Sequence, residues 1–350
     1  MRARPGCAVL ASALFAISCH RGPAASGRSS GDGVAPPPVE IISCVDLPRD
    51  DPRSHNLSGL AWDPAERRLY ALSDRDKLIT VLEPRDGFQG FDLRSSIELA
   101  IDVDPWDGEA LAIAGDRFVL VANETLSAIV SVDRSGRGAT RIDLPLAREP
   151  RGNLGLEGLG FAASARGRYL FVVNEQAFDS DGPISTTARG TVVRIVRHAL
   201  DRGTDLEVAY QTEPVFAEGA PSDNGVSDLA ALSPERVLVI ERAFVKGTGN
   251  AVRIYEVDLG AAIDIAGVAD ARDGAPVPKR LVVDLTMLPD ERCSATPGPQ
   301  RRRTLDNYEG MALGPTLDDG RRLVFLVSDD NRRALQIPRV LTLALAPGVL

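Results

Sequence analysis

One short phrase, written five times, constrains this chain more than any other feature. Residues 153–175 read NLGLEGLGFAASARGRYLFVVNE: Glu157 opens a short apolar run, a turn follows, and a second apolar run closes on Asn174-Glu175. Ser58-Gly59-Leu60-Ala61 leads in the same way to Ser73-Asp74, and Glu109-Ala110-Leu111-Ala112 leads to Asn123-Glu124. Ser227-Asp228-Leu229-Ala230 leads to Glu241-Arg242, and Glu309-Gly310-Met311-Ala312 leads to Ser328-Asp329. Self-similarity at a spacing of roughly 50 residues is the signature of a propeller or an array of repeats.

Beyond residue 40 the apolar runs are short, rich in Val, Ile and Leu, and bounded by Gly, Pro, Asp or Asn, which predicts strands. Each unit offers four: 58–62, 69–73, 78–82 and 97–101; then 109–113, 117–122, 128–132 and 140–144. The third unit has 157–162, 169–173, 191–197 and 206–211, and the fourth has 227–232, 236–240, 252–257 and 280–285. The fifth has only three, at 309–313, 322–327 and 340–345. Residues 40–47 (EIISCVDL) resemble the fourth strands of the other units. A propeller removes two open sheet edges at once by giving its N-terminal strand to the last blade. The expectation is an all-β propeller over 40–350, with five four-stranded blades by count and six as the alternative.

The start of the chain reads differently. Two arginines precede the apolar run 8–17, which is too short to span a bilayer and suits an export signal. The run ends Ala16-Ile17-Ser18-Cys19, similar to a bacterial lipoprotein cleavage box with Cys19 as the lipidated residue. Residues 1–19 are therefore expected to be a signal, and the Gly/Ser/Pro-rich stretch 20–39 a flexible tether. This implies a lipoprotein anchored in the bacterial envelope, or a secreted or periplasmic protein if lipid is not attached. The remaining cysteines, Cys44 and Cys293, suggest one disulfide in an oxidising compartment. Cys44 would lie on the outer edge of the last blade and Cys293 just after the outer strand of the blade before it.

Topology places the chemistry. In a propeller blade the residue opening the first strand and the residue closing the second emerge on one face, where the acids of the phrase recur. First strands would bring Glu109, Glu157, Asp228 and Glu309, and second strands Asp74, Glu124, Glu175, Glu241 and Asp329. Oxygen donors without thiolate or imidazole favour a hard cation, calcium before magnesium. The plainer alternative is that these carboxylates cap strand-end N–H groups. Arg75 and Arg242 follow rim acids and could hold an anionic substrate, or could pair internally with the acids beside them. His55, in the loop entering the first blade, is a candidate general base. The chain has no GxSxG elbow, and DSDG at 179–182 only faintly echoes a calcium loop. A formal net charge of −9, about −11 once Arg2 and Arg4 leave with a leader (−9 − 2), argues against nucleic acid and against an anionic membrane surface. A monomer is expected, touching membrane only through its anchor.

The phrases together resemble the phytase-like domain of secreted bacterial propellers, also called the esterase-like-activity-of-phytase family. The matching segments are LSGLAWD…LYALSDR (57–75), DGEALAI (107–113), NLGLEGLGF (153–161), VSDLAAL…VLVIERAF (226–244) and NYEGMALGP…LVFLVSDDN (307–331). The resemblance covers roughly 40–346 and implies a propeller with ester or phosphoester hydrolysis, calcium-assisted. In that reading Glu157 or Glu309 is the base, Arg75 or Arg242 holds the anion, and the rim acids hold Ca2+. Alkaline phytases carry a lysine-rich phosphate cradle, whereas the three lysines here, Lys77, Lys246 and Lys279, are scattered. Two other readings compete: a non-catalytic binding platform on a surface lipoprotein, and a gluconolactonase-like lactone hydrolase.

Overall fold

A computed structural model describes residues 37–144, 150–203 and 205–350. The expected leader (1–19), the lipidation site Cys19 and nearly all of the tether lie outside the described residues.

Among the described residues, twenty strands form five antiparallel sheets of four. The first blade is β2 (Leu57–Asp63), β3 (Arg68–Ser73), β4 (Leu78–Arg85) and β5 (Gly90–Glu98). The second is β6 (Ala110–Ala114), β7 (Arg117–Asn123), β8 (Ala128–Asp133) and β9 (Thr140–Ile142). The third is β10 (Leu156–Ser164), β11 (Gly167–Asn174), β12 (Val192–Ala199) and β13 (Asp205–Gln211). The fourth is β14 (Ser222–Ser233), β15 (Arg236–Val245), β16 (Gly249–Asp258) and β17 (Lys279–Asp284). The fifth is β18 (Tyr308–Thr316), β19 (Arg322–Ser328) and β20 (Arg339–Leu345), completed by β1 (Val39–Asp46) from the N-terminal end. β1 pairs with β20 from Val39 opposite Leu345 to Asp46 opposite Arg339. The five-blade count and the closure by the first strand are both as expected.

The fourth strand of the first blade differs from its expected place at 97–101. It begins at Gly90, immediately after a turn in which Asp86, Gly87 and Phe88 all have positive φ. Its middle residues are exposed, so it lacks the apolar run that marks the other strands. Burial, not strand formation, is what the apolar pattern reports.

Packing explains why five blades make one body. The inner strands touch in the order β2, β6, β10, β14, β18 and back to β2. Five apolar clusters fill the five seams between neighbouring blades. Leu238 and Ile240 of the fourth blade meet Met311 and Leu326 of the fifth, and Phe325 and Val327 of the fifth meet Leu57, Leu60 and Leu69 of the first. Each such side chain taken fully out of water contributes about 2 kcal/mol, and each belongs to a contact that no blade makes alone. Cys44 on β1 is bonded to Cys293 in the connection between the fourth and fifth blades, with a Cα–Cα distance of 5.1 Å. No helix among the described residues is long and apolar enough to cross a membrane.

The inner strands crowd the axis at the residue after the phrase's opening position. A Cβ on Gly59 would stand 2.7 Å from the Leu111 amide nitrogen, and one on Gly310 would stand 2.6 Å from the Ser58 carbonyl oxygen. The fourth blade puts Asp228 at this level. Its Oδ1 accepts from the amides of Leu159 and Leu229 and its Oδ2 from Met311, at 3.3, 2.7 and 2.6 Å. One carboxylate therefore ties the inner edges of three blades together.

Candidate metal centre in an acidic cup

The β-bulge that begins four of the five inner strands fixes which side chains enter the cup. Leu57 pairs with Ser73, Leu156 with Asn174, Val226 with Glu241 and Tyr308 with Ser328, each followed by a register shift. By that alignment the opening positions are Ser58, Glu109, Glu157, Ser227 and Glu309, and the closing positions are Asp74, Glu124, Glu175, Arg242 and Asp329. Successive strand residues face opposite ways, so the residue before each closing position points away from the cup. It holds loops there instead. Asn123 accepts from the Leu126 amide, Asn174 accepts from the Arg194 amide, and Ser328 donates to the Ile337 carbonyl.

Two expected rim acids are corrected by this register. Glu241 occupies the position of Asn174, not of Glu175. It lies between blades, accepting from Tyr210 Oη at 2.6 Å, the Glu213 amide at 2.8 Å and Lys279 Nζ at 2.5 Å. A side chain so fully engaged cannot join a cation site in the cup. Asp228 sits one residue past the opening position and is the axial tie described above. Ser227 takes the opening position and donates to the Tyr308 carbonyl at 3.0 Å, while Ser58 donates to that of Gly108 at 2.5 Å. Where the phrase opens on serine, the side chain stitches one blade to the next.

The remaining predicted acids do converge. Burial raises the pKa of Glu109 well above the usual carboxylate range, and the charges of Glu124, Glu309, Asp107 and Asp74 add to it. Glu157 is raised likewise by burial, then by Glu109, Glu175, Glu124 and Glu309, and Glu309 by burial and then Asp329. Burial brings Glu124 to about 7, Asp74 to about 7, Glu175 to about 8 and Asp329 to about 6. Acids that perturb one another from four of the five blades share one site.

Within the cup, Asp107, Glu109 and Glu124 each present an oxygen within 4.8 Å of the other two. Asp107 is the residue that sequence reasoning missed. It lies two positions ahead of the phrase, where the other blades carry Asn56, Gly155, Gly225 and Asn307, so an acid there is peculiar to the second blade. Glu124 is 0% exposed. Its Oε2 accepts from the Gly155 amide at 2.8 Å, while its Oε1 is buried without a hydrogen-bond partner. Asp74 Oδ1 is likewise unpartnered. Buried acceptors of this kind are rare in folded proteins. A hard cation would satisfy them, and the donor set, all oxygen, fits one.

The arginines divide. Arg242 is 14% exposed and reaches Glu175 Oε1 at 3.3 Å and Glu309 Oε1 at 3.7 Å. Burial works against its charge, but Glu309 and Glu175 outweigh that and hold it firmly protonated. It pairs internally with the acids beside it, the second of the two roles expected for it. Arg75 Nε lies 3.0 Å from Asp74 Oδ2, an ion pair, yet its side chain remains 61% exposed, so it can meet an incoming anion. His55 is corrected as well. Its Nδ1 lies 2.7 Å from Asp330 Oδ2 and its Nε2 2.9 Å from the Arg49 carbonyl oxygen, so both ring nitrogens are engaged by protein oxygens. The DSDG segment is structural too: Asp181 is buried against the fully buried Arg194, with two contacts of 2.6 Å.

Five four-stranded blades around a carboxylate-lined cup define a five-bladed β-propeller with a candidate metal centre at one mouth. The chain belongs to the phytase-like family described as esterase-like activity of phytase, whose sequence model matches residues 52–332. Solved structures of similar form include an endo-arabinase from Bacteroides thetaiotaomicron, at 12% identity and a TM-score of 0.47, covering 85% of this chain and 96% of that one. A luciferin-regenerating enzyme gives 13% identity and a TM-score of 0.38, covering 88% and 97%. The Trichoderma reesei enzyme of carbohydrate-active family AA12 gives 10% and 0.40, covering 89% and 97%. At these scores the likeness is remote. Among curated proteins, none matches at a significant level.

Proposed function

We propose that the acidic cup hydrolyses a small anionic ester or phosphoester with the help of a divalent cation, calcium by preference. The observation that carries this reading is the triad of Asp107, Glu109 and Glu124, with a buried, unpartnered oxygen on Glu124. These three residues would hold the ion. Bound there, calcium would supply Lewis-acid polarisation of a substrate oxygen.

The chain's own residues supply the rest. Glu157 is the favoured base: it stands among the cup acids and, among the described residues, no protein hydrogen bond engages it, whereas Glu309 is held by Asn307 Nδ2 at 2.8 Å. Its raised pKa is the property a general base working near neutral pH requires. It would take one proton from water as the oxygen attacks the ester, and return it to the departing alkoxide. Arg75 would orient the anion from the solvent side. Arg242 holds Glu175 and Glu309 in place and offsets part of the burial that raises both of them. Two features support export: the Cys44–Cys293 disulfide, since such bonds persist in oxidising compartments, and the leader-like start of the chain. The lipid anchor at Cys19, a monomeric state and the lack of nucleic-acid partners are parts of the same proposal.

The test is calorimetric titration of purified, chelator-treated protein with Ca2+, followed by a panel of carboxylic esters, phosphomonoesters and lactones with and without chelator. Hydrolysis that needs Ca2+ supports the reading. Turnover of lactones alone would favour a gluconolactonase-like reaction, and Ca2+ binding with no turnover would leave a binding platform.

A further inference from the structure

The triad's first two members lie on the connection between the first and second blades, and one aromatic side chain holds that connection down. Trp106 Nε1 donates to the Ser73 carbonyl oxygen at the end of β3, at 3.1 Å. The indole stands close against Gly108: a Cβ on that glycine would stand 2.5 Å from Trp106 Cζ2 and 2.9 Å from Ser73 O. Gly108 is the residue between Asp107 and Glu109, and only a glycine lets the ring approach so closely. Lys77 closes the other side, with Nζ donating to the Ile101 carbonyl at 2.9 Å and standing 5.9 Å from the Trp106 ring centre. The connection is also tied to β7. Asn123 Nδ2, beside Glu124, donates to the Pro105 carbonyl at 2.9 Å, and the Glu109 amide donates to the Val121 carbonyl at 3.1 Å.

We propose that Trp106 is the positioning residue of the cation site, clamping Asp107-Gly108-Glu109 between the ends of β3 and β7 so that both carboxylates meet Glu124. The inference rests on the cation reading above. No other blade carries a Trp, Tyr or Phe at this point: the equivalents are His55, Leu154, Asn224 and Asp306. The clamp and the acid at Asp107 thus occur together, in the same blade. A residue that orders ligands without touching the ion acts through the entropy and strain of assembling them.

The chain has two tryptophans, and the other, Trp62, is packed against Phe88 and Phe325 in the seam between the fifth and first blades. Trp62→Phe therefore leaves Trp106 as the sole indole emitter. Titrating that variant with Ca2+ should change its emission, with a midpoint matching the calorimetric one. Trp106→Ala should weaken Ca2+ binding by about tenfold or more while circular dichroism stays that of the wild type. Trp106→Phe, which keeps a ring over Gly108, should stay closer to wild type than to the alanine variant. Unchanged Ca2+ affinity in Trp106→Ala would overturn the clamp while leaving the cation site standing. So would an emission from Trp62→Phe that ignores saturating Ca2+, a readout that does not depend on any change at Trp106. Wild-type protein that binds no Ca2+ would remove both the clamp and the reading beneath it.

Discussion

The second and fourth blades present the same backbone positions to the cup and fill them with opposite charge. The second blade opens on Glu109 and closes on Glu124, with Asp107 added ahead of them. The fourth opens on Ser227 and closes on Arg242. On the second-blade side three carboxylates crowd together with no arginine inside the triad, and burial drives their pKa values up. On the fourth-blade side Arg242 lies between Glu175 and Glu309 and offsets part of the burial that raises them. One half of the rim thus carries a buried internal cation, and the other half has only the exposed Arg75 at its edge. A repeated fold lets a single position become a counter-ion in one copy and a ligand in another.

The largest effect that would test this division is on stability. Arg242→Gln removes the only cation between two buried carboxylates, and breaking such a pair costs about 3 kcal/mol. The loss should grow as pH rises through 8, where Glu175 ionises, and be smaller near pH 5, where Glu175 and Glu309 hold protons. Equal stability of variant and wild type at pH 8, by denaturant unfolding, would mean that the fourth-blade side is not held by its arginine. Next comes Glu124→Gln, on the other side. Its amide oxygen can still accept from Gly155, so the fold is kept, but the ion loses a charged donor. Ca2+ affinity should fall about 100-fold, while the unloaded variant becomes more stable than unloaded wild type. Opposite signs in these two readouts sharpen the comparison; a fall in both would break it.

The repeat phrase announced most of this architecture because it is local. Five apolar strand pairs framed by acids can be read without knowing where any side chain points, and so can the spare strand at 40–47. The cup's membership was less legible because it depends on phase. Glu241 and Arg242 are adjacent, and a one-residue shift in strand register exchanges which of them faces the axis. The bulge after Val226 settles it in favour of Arg242. Asp107 was inside a recognisable segment, DGEALAI, but lay outside the phrase and so was not counted. His55 looked free because Asp330, its partner, is 275 residues away in sequence. Charge pairing across a closed ring leaves no short-range trace.

A smaller effect follows from the raised carboxyls. The folded-state pKa values of about 7 for Asp74 and Glu124 and about 8 for Glu175 lie above the roughly 4 expected in the unfolded chain. Between those values the folded protein binds more protons than the unfolded one, so stability falls as pH rises. Without a cation, the melting temperature should drop progressively from about pH 4 to pH 8, and the gain on adding Ca2+ should be greatest at the alkaline end. A chelated protein whose melting temperature rises over that range would show that the cup carboxyls are already neutralised, and the contrast between the two blades would disappear.

The smallest effect is expected at His55. Both ring nitrogens are engaged, Nδ1 with Asp330 and Nε2 with the Arg49 carbonyl, so the imidazole fastens the loop that enters the first blade to the end of the fifth. His55→Gln keeps a polar group there. Its removal should cost about 1 kcal/mol of stability, the worth of a lost hydrogen bond, and leave Ca2+ affinity and any ester turnover within error of wild type. Glu157→Gln, assayed beside it, should abolish turnover while still binding Ca2+, because Glu157 is not one of the triad. If turnover instead vanished in His55→Gln and survived in Glu157→Gln, proton transfer would belong to the seam between the fifth and first blades, and the second-blade side of the cup would bind the ion without directing the reaction.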